Sequence, residues 1–348
     1  MGQNNERWGI VLAAGEGNRV RSFLSALCGG RGIKQFCAVF GNKSLLETTL
    51  ERAQRLIPRE RIIIIVDKKH RPEAREQLAG WPEENIIYQP ANRETAPGIL
   101  LPLAYVSHRA PDATVGIFPS DHFISDERRF TAHVAKAFAE SDRFADRAIL
   151  LGMTPDRLEE GYGWISARDD HRGQDSRAVC RFCEKPSTTE AEQLMRNGAL
   201  WNTFVFTARA RTLWEMTRQT VPELYGMFSS IRIMLGTPYA DRFIEQAYER
   251  MPTVNFSQAI LTPCVHRLRV LPVPEIGWSD WGSADRILDT AYRMGRIDEL
   301  TARLIARCGD DPTISDLLSR YQPNDSAEGA YDEEEIDDAV EYLEGGVG

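Results

Sequence analysis

Up to Met153 the sequence repeats one pattern, a short apolar run followed by a stretch of helical periodicity, and this alternation limits the fold more than any other feature. The runs at 8–14, 61–66, 85–89, 114–118 and 148–153 read as strands, and the segments at 44–57, 70–78, 95–109 and 126–141 read as the helices between them. Strands separated by helices cannot pair as hairpins, so they lie parallel in one sheet with the helices on its faces. The 61–66 run is almost unbroken isoleucine and valine, which suits a central strand buried on both sides. Pro97 falls in the first turn of its helix, where a missing N–H costs nothing, and Thr95 stands as its N-cap.

Beyond Met153 the pattern changes. Segments 161–168 and 178–185 alternate apolar and polar residues around a polar turn at 169–177, so they read as an antiparallel pair added to the sheet. Helices are expected at 188–197, 208–220 and 238–250, and strands at 200–206 and 268–272. A helical stretch at 283–307, broken near Gly295, completes the pattern. The expected fold is α/β: a Rossmann-like, mixed, mainly parallel sheet flanked by helices, with a small C-terminal helical part. The expected organisation is a catalytic domain over 1–282, a helical subdomain over 283–323 and a flexible acidic tail over 324–348.

Charge narrows the partners. The chain carries 42 Lys and Arg against 51 Asp and Glu, but ten of the acids and none of the bases lie beyond Pro323. Without the tail the balance is nearly neutral, and no block carries the basic surplus that a nucleic-acid binder shows. No apolar run approaches the ~18 residues a membrane helix needs, and the polar start lacks a signal-peptide core, so the expected location is cytoplasmic. The tail has a weak apolar period at Ile336, Val340 and Leu343. Cys180 and Cys183 form the one C-x-x-C, without the second pair or histidines of a structural zinc site, and read as core cysteines on opposite faces of a strand. No period of 20–50 residues indicates a solenoid.

Four places can carry chemistry. Leu12-Ala-Ala-Gly-Glu-Gly-Asn-Arg19 puts a glycine-rich turn after the first strand, where backbone N–H groups can approach an anion and Arg19 adds a planar fork for phosphate oxygens. It matches neither the P-loop nor the dinucleotide fingerprint. Lys34 follows in Gly32-Ile-Lys-Gln-Phe36, one of six lysines in a chain with 36 arginines, and offers a compact positive charge to the same phosphates. Asp121, in Pro119-Ser-Asp-His122, lies just past the C-terminal end of a central parallel strand, where α/β sheets place ligands. A second such carboxylate, Asp280, stands in Gly277-Trp-Ser-Asp-Trp-Gly282. Two carboxylates of this kind suit a magnesium ion bridging phosphate oxygens.

Together these pieces resemble the sugar-1-phosphate nucleotidylyltransferases, and most closely the short, single-function mannose-1-phosphate guanylyltransferases. The resemblance runs in order through about the first 290 residues. Residues 12–19 resemble the family's phosphate loop and Lys34-Gln-Phe its Pro-Lys-Gln-Phe, while Asn92-Arg-Glu-Thr-Ala-Pro-Gly98 resembles the Asn-Thr-Ala-Pro-Ala segment near base and ribose. Gly161-Tyr-Gly-Trp-Ile165, Phe182-Cys-Glu-Lys-Pro186 and Leu200-Trp-Asn-Thr203 resemble the sugar-side motifs, and Asp121 and Asp280 stand where the family binds metal. The chain departs at Ile33, at Asn18 and Val20, at Trp281, and at Thr203-Phe204, where a small Ser-Gly pair is common. The last change bears on the sugar pocket.

The resemblance implies a glycosyltransferase-A-like nucleotidyltransferase fold and a transfer of GMP from GTP to mannose-1-phosphate, with Mg2+ and release of pyrophosphate. It implies nucleotide contacts from Ala13, Ala14, Gly15, Gly17, Arg19, Asn92, Thr95, Ala96 and Pro97. Arg19, Lys34 and Asp121 would carry catalysis, Asp121 and Asp280 would hold the metal, and Gly163, Glu184, Lys185 and Asn202 would bind the sugar phosphate. A phosphate monoester is already ionised at neutral pH, so the chemistry asks for positioning and charge neutralisation rather than a strong base. Trp201, Trp278 and Trp281 read as core or wall residues rather than stacking platforms, and a homodimer is one assembly open to such a chain. The alternatives are a sibling acting on glucose-1-phosphate with UTP or dTTP, and a nucleotide-sugar sensor without turnover. A fused isomerase is not expected from the length.

Overall fold

The computed structural model describes residues 6–168 and 175–309. In chain order, its first half comprises β1 (Arg7–Ala13), α1 (Arg21–Cys28), α2 (Leu45–Gln54), β2 (Ile62–Asp67), α3 (Arg71–Gln77), β3 (Ile86–Gln89), α4 (Thr95–Arg109), β4 (Thr114–Pro119) and β5 (Phe123–Ile124). Then follow α5 (Glu127–Arg143), β6 (Ala148–Met153), β7 (Gly163–Ala167), β8 (Arg177–Glu184), α6 (Thr188–Arg196), β9 (Leu200–Arg209) and α7 (Ala210–Thr220). The remainder is α8 (Pro222–Met234), α9 (Ala240–Arg250), β10 (Leu268–Val273), β11 (Trp278–Ser279), α10 (Ala284–Arg293) and α11 (Ile297–Cys308). The acidic tail, residues 310–323 of the expected helical part and residues 169–174 of the polar turn lie outside the described residues.

The chain divides into two compact units. The larger, Met1–Gly15, Thr49–Ser120 and Ile124–Trp278, contains a nine-stranded sheet in the order β3-β2-β1-β4-β9-β6-β10-β8-β7. β1 runs parallel to β2 and β4, β2 to β3, and β6 to β10, as the strand-helix alternation requires. β9 enters antiparallel between β4 and β6, and β8 antiparallel between β7 and β10, so these two strands oppose the other seven. β2, β4 and β6 are buried at every position, which explains their continuous apolar sequences. The core gathers Ile10, Ile63, Ile65, Leu100, Val115, Leu150 and Phe206 with the faces of α4, α7 and α8.

Local chemistry sets several boundaries. Asp126 caps α5 by accepting from the Arg129 N–H at 2.9 Å. Ser44 and Glu47 form a reciprocal box at the start of α2, with bonds of 3.1 and 2.7 Å. α4 departs from expectation: Thr95 is its first helical residue, not its cap, and its hydroxyl accepts from the Phe256 N–H at 2.8 Å. The cap position falls to Glu94, at φ 70°, whose side chain makes no capping bond to the helix.

The paired cysteines are a second correction. Cys180 is exposed and Cys183 half-buried, so neither belongs to the core. Val179 pairs with Ala167 and Arg181 with Ser166, which makes Cys180 the extra residue of a β-bulge and breaks the alternation that a regular strand would impose. Two helical stretches had no sequence expectation, α1 in the glycine-rich loop and α8 after Pro222. The break near Gly295 is present, between α10 and α11.

The second unit comprises Glu16–Thr48, Asp121–Phe123 and the chain from Ser279 onward. Its core joins Phe23, Leu24 and Leu27 of α1 to Ile287, Leu288 and Ala291 of α10 and Leu300 and Leu304 of α11, with Trp281 fully buried among them. Trp281 stacks on Phe123 at 4.7 Å and meets Phe40 edge-on at 5.4 Å. Trp281 is therefore a core residue, and Trp201 and Trp278 are likewise buried in the larger unit.

Candidate active site

β1 and β4 are neighbours in the parallel part of the sheet, and Ser120 ties their ends together by donating its N–H and hydroxyl to the Leu12 carbonyl at 3.1 and 2.7 Å. The loops that follow Leu12 and Ser120 thus leave adjacent C-terminal strand ends, the usual ligand position in such sheets. The first leads to Gly17, Arg19 and Lys34, and the second to Asp121, all in the smaller unit.

Within that unit Lys34 is buried, with 4% of its surface exposed. Its Nζ donates to the Asp121 carboxylate at 3.1 Å and to the backbone carbonyl of Asp280. Burial works against ionisation of Asp121, and Asp280 adds repulsion, but the Lys34 ammonium and His122 outweigh both and hold its carboxyl below the usual range. Asp280 is held in turn by Arg286, whose guanidinium donates to Oδ1 at 2.7 Å, and by the Gly282 N–H at 2.9 Å. A Cβ on Gly282 would lie within 3.0 Å of the Asp280 carboxylate and of the Arg286 and Arg19 guanidiniums, so these three groups converge on a backbone that must stay bare. Gly17 does the same for Lys34: at φ 60°, its Cβ would meet the Lys34 Cβ at 3.0 Å. The structure thus brings together Arg19, Lys34, Asp121 and Asp280, and adds Arg286.

The larger unit assembles a different set. Gly163 of β7 and Glu184 of β8 are register partners, and a Cβ on Gly163 would stand 2.7 Å from the Glu184 carboxylate and 3.3 Å from the Asn202 Cβ. Burial pushes the Glu184 carboxyl above the usual range; Lys185 and a hydrogen bond with Ser257 oppose this, and the Glu94 carboxylate reinforces it. Asn202 is buried, and its side-chain oxygen accepts from the Phe204 N–H at 3.2 Å. Beside it β9 bulges: Leu150 pairs with Phe206 but Gly152 with Asn202. Gly163, Glu184, Lys185, Asn202 and Glu94 therefore form one polar group. Asn92 and Thr95 flank Glu94, whose N–H donates to Asn92 at 2.9 Å. Ala13, Ala96 and Pro97 are buried, and the Ala96 N–H is committed to the Val254 carbonyl.

Backbone strain marks the same places. Among the described residues the non-glycines with left-handed φ are Glu94 (70°), Lys185 (51°), Phe204 (55°) and Trp281 (47°). Each lies in, or within two residues of, a motif that the sequence singled out, and such conformations cost about 1–3 kcal/mol each, so they persist where the surroundings impose them. Phe204 occupies the place where the resembling family commonly has glycine, which adopts this φ without cost. Here the Asn202 bond and edge-on contacts with Phe206 and Phe256, at 6.2 and 6.3 Å, hold it instead.

Arg286 and Glu94 escaped the sequence reading. Arg286 is the third residue of α10, just past the Gly277–Ser283 motif, and only the tertiary structure joins it to Asp280. Glu94 lay inside a quoted segment, in a place the family fills with asparagine; that substitution was the available signal.

The donor set suits a divalent cation of the magnesium kind. Asp121 and Asp280 are hard oxygen donors, close enough that Asp280 opposes the ionisation of Asp121. An ion of this kind takes one or two carboxylates and completes its shell with water and substrate phosphate.

A model of the nucleotidyl transferase family matches residues 8–295. The chain is 29% identical over 314 residues to mannose-1-phosphate guanylyltransferase RfbM of Salmonella typhimurium, spanning 88% of this chain and 63% of that protein. It is 29% identical over 285 residues to the mannose-1-phosphate guanylyltransferase of Escherichia coli K12, spanning 79% and 57%. The chain thus spans about three fifths of the length of these curated relatives. Among solved structures it is similar to mannose-1-phosphate geranyltransferase from Thermus thermophilus, with a TM-score of 0.69 at 27% identity over 80% of this chain and 76% of that one.

Proposed function

This chain belongs to the nucleotidyl transferase family, and from that premise we propose that it transfers GMP from GTP to mannose-1-phosphate, giving GDP-mannose and pyrophosphate. The observation that carries the reading is the buried Lys34 ammonium held between Asp121 and the Asp280 backbone, with Arg19 and Arg286 beside them. A cluster so rich in paired charge serves phosphate chemistry, in which anions must be brought together and a growing negative charge stabilised. The choice of sugar and base follows the printed names of the relatives.

In this mechanism a sugar-phosphate oxygen attacks the α-phosphorus in line and pyrophosphate leaves. Lys34 neutralises the phosphate undergoing transfer, and Arg19 with the loop amides of 13–17 holds the triphosphate. Asp121 and Asp280 would hold Mg2+, which when bound supplies charge neutralisation to the phosphate oxygens. Because the Lys34 ammonium pairs with Asp121, that carboxylate is held ionised and ready for a cation without needing a proton to leave, and Arg286 holds Asp280 in place beside it. Glu184, raised in pKa but facing no proton transfer, accepts hydrogen bonds from sugar hydroxyls, as does Asn202, and Lys185 meets the sugar phosphate. A site built to pair with particular hydroxyls rejects a sugar that leaves its buried groups unpaired. Among the described residues no helix is long and apolar enough to cross a membrane.

The test is pyrophosphate release with Mg2+ across GTP, ATP, UTP and dTTP, each with mannose-1-phosphate and with glucose-1-phosphate. Release confined to GTP with mannose-1-phosphate is expected. Another productive pair would keep the chemistry and move the specificity, and silence in every pairing from protein that still binds nucleotide would replace the enzyme by a sensor. Asp121→Asn should remove turnover while leaving the thermal melt in place; an active variant would overturn the metal assignment.

A further inference from the structure

The loop between α1 and α2, residues 29–44, carries Lys34, and such a loop keeps one shape only where its backbone groups find partners. Part of the bonding is local. The Phe36 N–H donates to the Ile33 carbonyl at 2.9 Å, the Cys37 N–H to the Lys34 carbonyl at 3.1 Å, and the Leu45 N–H to the Cys37 carbonyl at 3.3 Å. Gly32, at φ 60°, lets the loop lie directly on α1, where a Cβ would strike the Arg21 carbonyl. The carbonyls of Ala38 and Val39 turn instead to a side chain far along the sequence, Arg303 of α11.

Arg303 is half-buried between Leu300 and Leu304, which anchor α11 in the core of the smaller unit. Its Nη1 donates to the Val39 carbonyl at 2.5 Å and its Nη2 to the Ala38 carbonyl at 3.1 Å. The same Nη2 donates to the Leu27 carbonyl at 3.3 Å and lies 3.7 Å from the Cys28 sulfur. Leu27 is in the last turn of α1, where carbonyls have no partner within the helix. One guanidinium thus ties the point where the chain leaves α1 to the point where it turns back toward α2, and Lys34 lies between the two. A planar fork with five N–H donors can serve three carbonyls at once, which a lysine ammonium, a point charge on a flexible stem, does not reproduce.

We propose that Arg303 is a positioning residue for the transfer: by joining the two ends of this loop, its guanidinium sets where the Lys34 ammonium stands against Asp121. Lys34 is buried and meets the Asp121 carboxylate at 3.1 Å, so a loop released at its base carries the charge away from that partner. Catalysis by positioning and neutralisation is sensitive to such a shift, since misplacing a reacting group by about an ångström costs about a hundredfold in rate. Arg303 acts through the loop and adds no chemistry of its own. Its effect on turnover rests on the role given to Lys34 above; its hold on the loop does not.

Kinetics and chemical labelling of the full chain test it. In Arg303→Ala kcat should fall about ten- to a hundredfold while KM for GTP and for the sugar phosphate stays within about twofold, and millimolar guanidinium ion should restore part of the loss. Peptide mass mapping after brief treatment with acetic anhydride should find Lys34 modified at least about tenfold faster than in the parent, with Lys68 and Lys136 unchanged. Arg303→Lys keeps the charge without the fork and should lose nearly as much kcat, so it carries the test if the alanine variant does not fold. Arg307→Ala removes a like charge one turn further along α11 and should behave as the parent does. A Lys34 that stays protected in a folded Arg303 variant, an unchanged kcat, or a loss confined to KM would each overturn the proposal. If the parent turns over no substrate pair, the role given to Lys34 falls instead, and the labelling alone upholds or overturns the hold of Arg303 on the loop.

Discussion

Asp121 of the smaller unit and Glu184 of the larger are both carboxylates in candidate sites, and their surroundings drive them in opposite directions. Asp121 faces the Lys34 ammonium and His122 and stays ionised below the usual range, while Glu184 is desolvated, sits near Glu94 and is raised above it. The contrast extends to their neighbours. The smaller unit pairs its acids with bases, Lys34 with Asp121 and Arg286 with Asp280, as a site for anions and a cation does. The larger unit sets a half-buried acid beside a buried amide and a bare glycine, as a site that reads hydroxyl groups does. Environment, rather than residue type, separates charge handling from recognition.

Four variants would break or sharpen this contrast. The largest effect is expected from Lys34→Met, which removes the central charge of the smaller unit: kcat should fall about a thousandfold, with KM for the sugar phosphate little changed. Steady-state kinetics at saturating GTP checks this, and a loss confined to KM would show that Lys34 only binds. The variant should also raise the Asp121 pKa, because the pair that holds it down is gone.

An intermediate effect is expected from Glu184→Gln. A raised folded-state pKa means that Glu184 takes up its proton first as pH falls, while Asp121 remains ionised. The parent's kcat/KM should therefore decline on the acid side with an apparent pKa above that of an ordinary glutamate. In Glu184→Gln that limb should vanish and KM for the sugar phosphate should rise about ten- to a hundredfold. A limb that survives the substitution would assign the titration elsewhere, and the contrast between the two acids would fail. Gly163→Ala sharpens the same point, since its Cβ would stand 2.7 Å from the Glu184 carboxylate; it should raise the same KM about tenfold and leave the effects of Lys34 substitution untouched.

The smallest effect belongs to Glu94→Gly. At φ 70° and ψ −173° Glu94 holds a backbone conformation that essentially only glycine adopts without strain, so unfolding free energy should rise by up to about 1 kcal/mol, seen as a modest increase in Tm. Removing the neighbouring carboxylate should also move the acid limb of Glu184 to lower pH. A limb that stays in place would mean that burial alone sets the Glu184 pKa.

Much of the fold was legible because strand-helix alternation leaves a parallel sheet as the one way to bury such runs: β1, β2, β3, β4 and β6 fall where the apolar segments lie. The places of the glycine-rich loop, Lys34 and Asp121 at the strand ends were legible too, because strand ends and bare glycines leave a local signature. The positions of Cys180 and Thr95 were not. A bulge in β8 turned one outward, and a bond to the Phe256 N–H drew the other away from capping, and each depends on a partner distant in sequence or on an extra residue in a ladder. The sequence by itself determined the layered α/β architecture, since hydrophobic periodicity is a local property of the chain. Only the tertiary structure decided that Arg286 holds Asp280, that Arg303 reaches Cys28 across 275 positions, and that Glu94 repels Glu184. Charges act through space, and the chain must fold before distances, and with them ionisation, take their values.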